Sequence, residues 1–250
     1  MTPTMEIDLN ADLGEGGDHD NALLALVSSA NISCGAHAGS EADIRAALQT
    51  AKQYGVRIGA HPSYPDRDNM GRKVMAMPVK QLQKSLRAQL THLHNLASDA
   101  SVVIRFVKPH GALYNQAARD LTLATHVVSA IKAFDSSLTL VGLAGSQLLR
   151  AGRDAGLSTC AEAFVDRAYQ TDGSLLPRSH AGAVLVDTEL AVQQALHIIT
   201  RQCVQTHDGQ TIPMRADTLC IHGDTPQALS FAKALHQRLG EAGIRIRACP

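Results

Sequence analysis

The sequence predicts an α/β fold in a single domain, a parallel sheet with right-handed crossovers, and three observations predict it. Short β-like runs alternate with helical stretches about seven times, an order that calls for parallel strands. The 250 residues fit one (β/α) barrel and give ample core. No linker rich in Pro, Gly or Ser divides the chain, so 1–250 is read as one domain.

The elements follow in order. EIDLNADLGEG, from Glu6 to Gly16, alternates apolar Ile7, Leu9, Ala11 and Leu13 with Asp8, Asn10 and Asp12, the pattern of a strand with one apolar and one wet face. ANISCGAHAGS is the second strand, and AALQTAKQYG is a helix that stops at Gly55. VRIGAHPSYPD is the third strand. PVKQLQKSLRAQLTHLHNLA carries Val79, Leu82, Leu86, Leu90 and Leu93 on one helical side. SVVIRFVKPHGALYN reads as a strand, LTLATHVVSAIKAF as a helix, LTLVGLAGS as a strand and SQLLRAGRDAG as a helix. LSTCAEAFVDRAY is a strand, TELAVQQALHIITRQCV a helix, DTLCIHGDTP a strand, and QALSFAKALHQRLGEAG a helix before the final IRIRA.

Hydrophobic residues make up 45% and charged residues 18%, the composition of an ordinary globular protein. Basic and acidic residues balance at 23 each without a run of like charge, which removes the electrostatic case for nucleic acid or a membrane surface. The amino terminus has no basic stretch followed by an apolar one, and no apolar run approaches the roughly 18 residues of a membrane span. A cytoplasmic location is the expectation. Cys34, Cys160, Cys203, Cys220 and Cys249 form an odd set without a CxxC pair. That argues against a disulfide framework and a structural zinc site, and reduced thiols are expected.

The positions of the polar residues carry the functional signal. Parity puts Asn31, Ser33 and His37 on one face of the second strand, Gly59 and His61 on the third, Lys108 and His110 on the fourth, and Cys220, His222 and Asp224 on the last. These fall at carboxyl ends, which in parallel barrels form the active-site face. Four histidines at equivalent positions converge on one mouth.

Two chemistries fit that mouth. Asp12, His61 and His110 are candidate ligands for a divalent metal with an open position. Without a metal, Asp8, Asp12, His37 and Asp224 serve as general acids and bases. Lys108 offers a positive charge to a substrate carboxylate or an oxyanion, or snorkels from the strand edge. Arg67, Arg72, Arg167 and Arg178 lie on loops able to cover the site. Cys34 has the opposite parity to His37 and reads as a buried apolar thiol. Neither GxxxxGK[ST] nor GxGxxG occurs, so a nucleotide needs another chain or an unfamiliar site.

Together IDLNADLGEG, ANISCGAHAG, GAHPSYPDR, FVKPHGALYN, EAFVDRAY and CIHGDTP resemble the A-type component of bacterial 5-oxoprolinase, the LamB/YcsF family, over nearly the whole chain. The resemblance implies a (β/α) barrel of about seven parallel strands, glycoside hydrolase/deacetylase-like. It implies ATP-dependent opening of 5-oxo-L-proline to L-glutamate in a complex with subunits B and C. The ATP is then handled with or by those partners. Where the family carries a cysteine soon after GEG, this chain has Gly17 and Asp18. The related deacetylases imply Asp12, His61 and His110 as metal ligands. On this reading Asp8, Asp12, His37, Lys108, His110 and Asp224 are the catalytic set, and Asn10, Asn31, Arg67, Tyr114, Asn115, Arg167 and His222 bind substrate. A stand-alone metal-dependent deacetylase or amidohydrolase, and a non-catalytic lactam-binding subunit, are the alternatives.

Overall fold

The computed structural model describes residues 5–222 and 228–249. In chain order the elements are β1 (Glu6–Leu13), α1 (Asp20–Leu24), β2 (Ser29–Ser33), α2 (Glu41–Tyr54), β3 (Arg57–His61), α3 (Val79–Asp99), β4 (Ile104–Val107), α4 (Gly111–Arg119), α5 (Leu121–Phe134) and β5 (Thr139–Leu143). They continue with α6 (Gln147–Asp154), β6 (Thr159–Phe164), α7 (Thr188–Arg201), β7 (Cys203–Gln205), β8 (Thr211–Pro213), β9 (Thr218–Ile221), α8 (Ala228–Glu241) and β10 (Arg245–Ile246).

Seven of these strands close a parallel barrel in the order β1-β2-β3-β4-β5-β6-β9, with β9 pairing back onto β1. β9 joins β1 only from Asp8 onward, and β10 adds in parallel to the first residues of β1, Glu6 and Ile7. β7 and β8 form a separate antiparallel hairpin.

The outward faces of the strands make the main core. Leu9, Leu13, Ile32 and Ile58 are buried beneath helix residues such as Ile44, Leu48, Leu86 and Leu93. Burying a side chain of this size stabilises the fold by about 1.5–3 kcal/mol relative to leaving it exposed. The inward face of β1 is not the wet face that its alternation predicts. Asn10 and Asn31 are 2% and 0% exposed. The barrel closes over them, so the alternation marks a dry polar interior where parallel barrels more often hold branched aliphatics.

Three boundaries differ from the sequence expectation. FVKPHGALYN is not one strand: Pro109 brings no N–H to the ladder, and Gly111 turns at φ +58° into α4. The tail QCV is not helical, because Gln202 takes a left-handed conformation after α7 and Cys203 starts the hairpin. His37 lies in the loop after β2, which ends at Ser33.

Candidate active site

At the carboxyl end of the barrel a cavity of about 400 Å³ opens between the βα loops. Its floor is built on Lys108. The backbone N–H of Lys108 still bonds to Ala60 O (2.9 Å), so its side chain keeps the inward parity of β4. Its ammonium donates to Asp12 Oδ1 at 2.9 Å and pairs with Glu162 Oε1 at 2.7 Å. Asn31 Nδ2 donates to both Asp12 Oδ1 (2.8 Å) and Asn10 Oδ1 (2.7 Å), and Asn10 Nδ2 donates to Thr218 Oγ1 (2.7 Å). Tyr114 donates its phenol to Glu162 Oε2 at 2.6 Å.

Burial alone would neutralise these charges, and mutual pairing reverses that. Desolvation raises the Asp12 carboxyl, but His61 and Lys108 outweigh it and hold Asp12 well below the usual carboxylate range. Desolvation lowers Lys108, but Asp12, Cys220 and Glu162 outweigh it and hold the ammonium well above its usual value.

One wall is a group of imidazoles. His61 Nδ1 faces the Lys108 carbonyl at 2.8 Å and His110 Nε2 faces the Met70 carbonyl at 3.0 Å, so each of these nitrogens carries the proton. The remaining nitrogens, His61 Nε2 and His110 Nδ1, meet at 2.8 Å, with Asp12 Oδ2 3.3 Å from His61 Nε2. His37 stacks on His110 at 4.0 Å between ring centroids and bonds through Nε2 to Glu15 Oε1 (3.0 Å). Burial first, then the neighbouring imidazoles, hold His110 well below the usual histidine range. Two lone pairs aimed at each other beside a carboxylate are a donor set for a divalent cation of the zinc class, and the backbone carbonyls behind them fix the rings.

The opposite wall carries His222, whose Nδ1 lies 2.9 Å from Asp166 Oδ1. Desolvation of Asp166 is outweighed by His222, so the carboxyl stays ionised and below its usual range. His222 thus donates from Nδ1 and leaves Nε2 for a ligand. Arg72, Arg119, Arg167 and Arg178 line the rest of the cavity. Burial, and then the charge of nearby Arg178, bring Arg167 down to about 10, which marks a strongly cationic wall.

The chain matches the LamB/YcsF family model over residues 7–250. It belongs to the LamB/YcsF family. Its structure superimposes on a lactam utilization protein from Thermus thermophilus with a TM-score of 0.91 and 41% sequence identity, covering 98% of this chain and 100% of that one. More distant likenesses bear on fold alone. The catalytic domain of a peptidoglycan N-acetylglucosamine deacetylase from Eubacterium rectale aligns at 11% identity and a TM-score of 0.52, covering 100% of this chain and 90% of that one. The T48 deacetylase aligns at 15% and 0.52, covering 97% and 87%.

Within this LamB/YcsF barrel the sequence-expected residues divide into groups. Asp12, His61, Lys108, His110, Tyr114, Asn115, Arg167 and His222 line the cavity. His37 stands behind His110. Asp8 corrects the expectation that it sits at the mouth. Four residues before Asp12, about 13 Å along a strand, it lies at the amino end, where Ser28 and Ser29 donate to its Oδ1 at 2.6 and 2.8 Å. Asn10 and Asn31 lie beneath Lys108 and Asp12 in the sealed interior, so they brace the floor and do not reach a substrate. Arg67 is also displaced from the expected role: its guanidinium donates to Gly35 O (2.6 Å) and Gly39 O (3.0 Å), tying down the loop after β2. Arg167 lines the cavity while donating to Ala183 O and Leu176 O. Asp224 lies outside the described residues.

Three acids escaped the sequence reading. Glu162 has inward parity in TCAEAF, and a lone glutamate in an apolar run was the available signal. Glu15 and Asp166 lie in loops beyond their strands, where parity gives no direction.

Proposed function

We propose that this chain is the A-type component of an ATP-dependent 5-oxoprolinase, hydrolysing the lactam of 5-oxo-L-proline to L-glutamate together with subunits B and C. The observation that carries this reading is the full-length likeness to a lactam utilization protein. The cavity is consistent with it: a small space with a cationic wall suits a compact anionic substrate.

The chain's own groups have distinct tasks. The arginine wall binds the substrate carboxylate, and also a phosphoryl group where the partners have activated the carbonyl oxygen with ATP. Lys108 stabilises negative charge developing on the carbonyl oxygen. Asp166 holds His222 in one tautomer, so that Nε2 takes a proton from the attacking water and returns one to the ring nitrogen as the C–N bond breaks. Asp12, His61 and His110 would hold a divalent cation, which when bound lowers the pKa of water.

The test is glutamate formation from 5-oxo-L-proline and ATP with the two partner chains present. Asp12→Ala and His110→Ala are each expected to lower it by roughly a hundredfold or more, with the far-ultraviolet circular dichroism unchanged. Full activity in either variant sinks the assignment. Release of acetate from N-acetylated substrates by the chain alone, without ATP, would establish the deacetylase alternative instead.

A further inference from the structure

The opposite end of the barrel holds a second cluster. Cys160, on the inward face of β6, is buried, whereas Cys249, on the segment that follows β10, is partly covered. Cys249 packs on Phe106, Val141 and Cys160 across the amino-terminal opening of the barrel. Asp217, the residue before β9, is exposed and fixed from both sides: its N–H bonds to Ala161 O (2.7 Å), and its Oδ2 accepts from Ala161 N (2.7 Å). One ligand atom from each of Cys160, Asp217 and Cys249 lies within 4.8 Å of the others. A void of about 10 Å³, the size of one water, touches both cysteines.

We propose that Cys160, Cys249 and Asp217 form a second metal site, for a thiophilic divalent cation of the zinc class, at the amino-terminal end of the barrel. The sulfur-rich donor set decides the class. Two thiolates and one carboxylate suit zinc, with water as a fourth ligand, and disfavour magnesium and calcium. On binding, each thiol releases its proton to solvent and forms a bond to the metal, with no change of oxidation state. The exposed Asp217 side gives the ion its entry.

The site joins segments far apart in sequence. The segment after α8 is held to β1 by short parallel pairing, with Arg245 N on Met5 O and Arg247 N on Ile7 O, each 2.9 Å. A metal shared by Cys249, Cys160 and Asp217 latches that segment across the bottom of the barrel, away from the substrate cavity. The absence of any CxxC signature hid the cluster, because its ligands meet only when the barrel closes.

Cobalt titration of the reduced, chelator-stripped full-length protein is the test. Thiolate ligation gives a near-ultraviolet sulfur-to-cobalt charge-transfer band, and zinc should abolish it by displacement. Cys249→Ser and Cys160→Ser should lose the band, and Asp217→Asn should weaken binding by at least about tenfold. The double variant His61→Ala/His110→Ala should keep the band, which separates this site from the one at the mouth. Because Cys160 is buried, a measurement on the unmodified protein complements its variant: zinc should slow alkylation of Cys249 while leaving Cys203 unprotected. Absence of the band, or its survival in Cys249→Ser, overturns the proposal. So does ready formation of a Cys160–Cys249 disulfide by exchange with oxidised glutathione in a protein that shows no cobalt band.

Discussion

His61 Nε2 and His110 Nδ1 face each other at 2.8 Å while the second nitrogen of each ring is committed to a backbone carbonyl. Two neutral imidazoles in this arrangement present lone pair to lone pair. The contact is favourable only with a proton or a cation between them, and burial works against the proton on His110. The pair therefore favours positive charge beside Asp12, as a proton shared between the two nitrogens or as a cation bound by both.

A divalent ion that satisfies this preference should stabilise the native chain by mass action. At a free concentration a hundredfold above its dissociation constant, zinc is expected to add about 2.7 kcal/mol, read as a rise in the thermal midpoint after chelator treatment. His61→Ala and His110→Ala should remove the increment that persists in Cys249→Ser. An equal increment in the imidazole variants would rule the pair out as ligands.

Lys108 should set the stability of the barrel interior. Its folded pKa lies above the usual 10.5, so its contribution is fully present below that value and is lost as pH rises through the folded one. Asp12 lies below the usual 3.8, so its contribution is present above that value and lost as pH falls through the folded one. Lys108→Met leaves two buried carboxylates without their cation, at an expected cost of about 3–5 kcal/mol near neutral pH. The cost should shrink from neutral to acidic pH, as Asp12 without its cation takes up a proton. Urea unfolding across that range reads it, and a pH-independent cost would contradict the pairing.

The residues in these predictions were unequally legible. Period-two alternation exposed Asp12, Lys108 and the strand-end histidines, because a strand end fixes which way a side chain points. The same alternation misplaced Asp8, since parity reports the face of a strand and not the distance along it. It also gave Asn10 and Asn31 a substrate-facing place that they do not have: whether an inward face meets solvent depends on barrel closure, a property of seven strands together. The Asp166–His222 pair was hidden because a loop residue's direction is set by tertiary contacts such as those of Arg167 with Ala183 and Leu176.

Asp20 illustrates a carboxyl that opposes folding. Burial, with Glu15 and Asp43 nearby, raises it from 3.8 to about 6, although its Oδ2 accepts the Gly14 N–H at 2.7 Å. The folded chain then binds this proton more tightly than the unfolded one, so stability falls as pH rises from 3.8 toward 6. Asp20→Asn keeps an acceptor without the charge. After allowance for solvent screening it should gain about 1 kcal/mol above pH 6 and little below pH 4, measured by denaturant unfolding at the two extremes.

Gly111 links backbone geometry to the imidazole wall. It sits at φ +58°, and a β-carbon there would lie 2.5 Å from Gly71 O, in the turn whose Met70 carbonyl holds His110 Nε2. Gly111→Ala must therefore move that turn, whose Gly71 O also accepts from Ala112 N at 2.9 Å. Gly145 supplies the control: its φ is +77° and nothing lies within 4 Å of its added β-carbon. Both substitutions place alanine in the left-handed region, at about 1–2 kcal/mol. Only Gly111→Ala should also release the His110 ring, with a loss of roughly 10- to 100-fold in metal affinity or turnover. Parallel measurement of unfolding and zinc affinity separates the two effects. Equal affinities in the two variants would show that the Met70 carbonyl does not position His110.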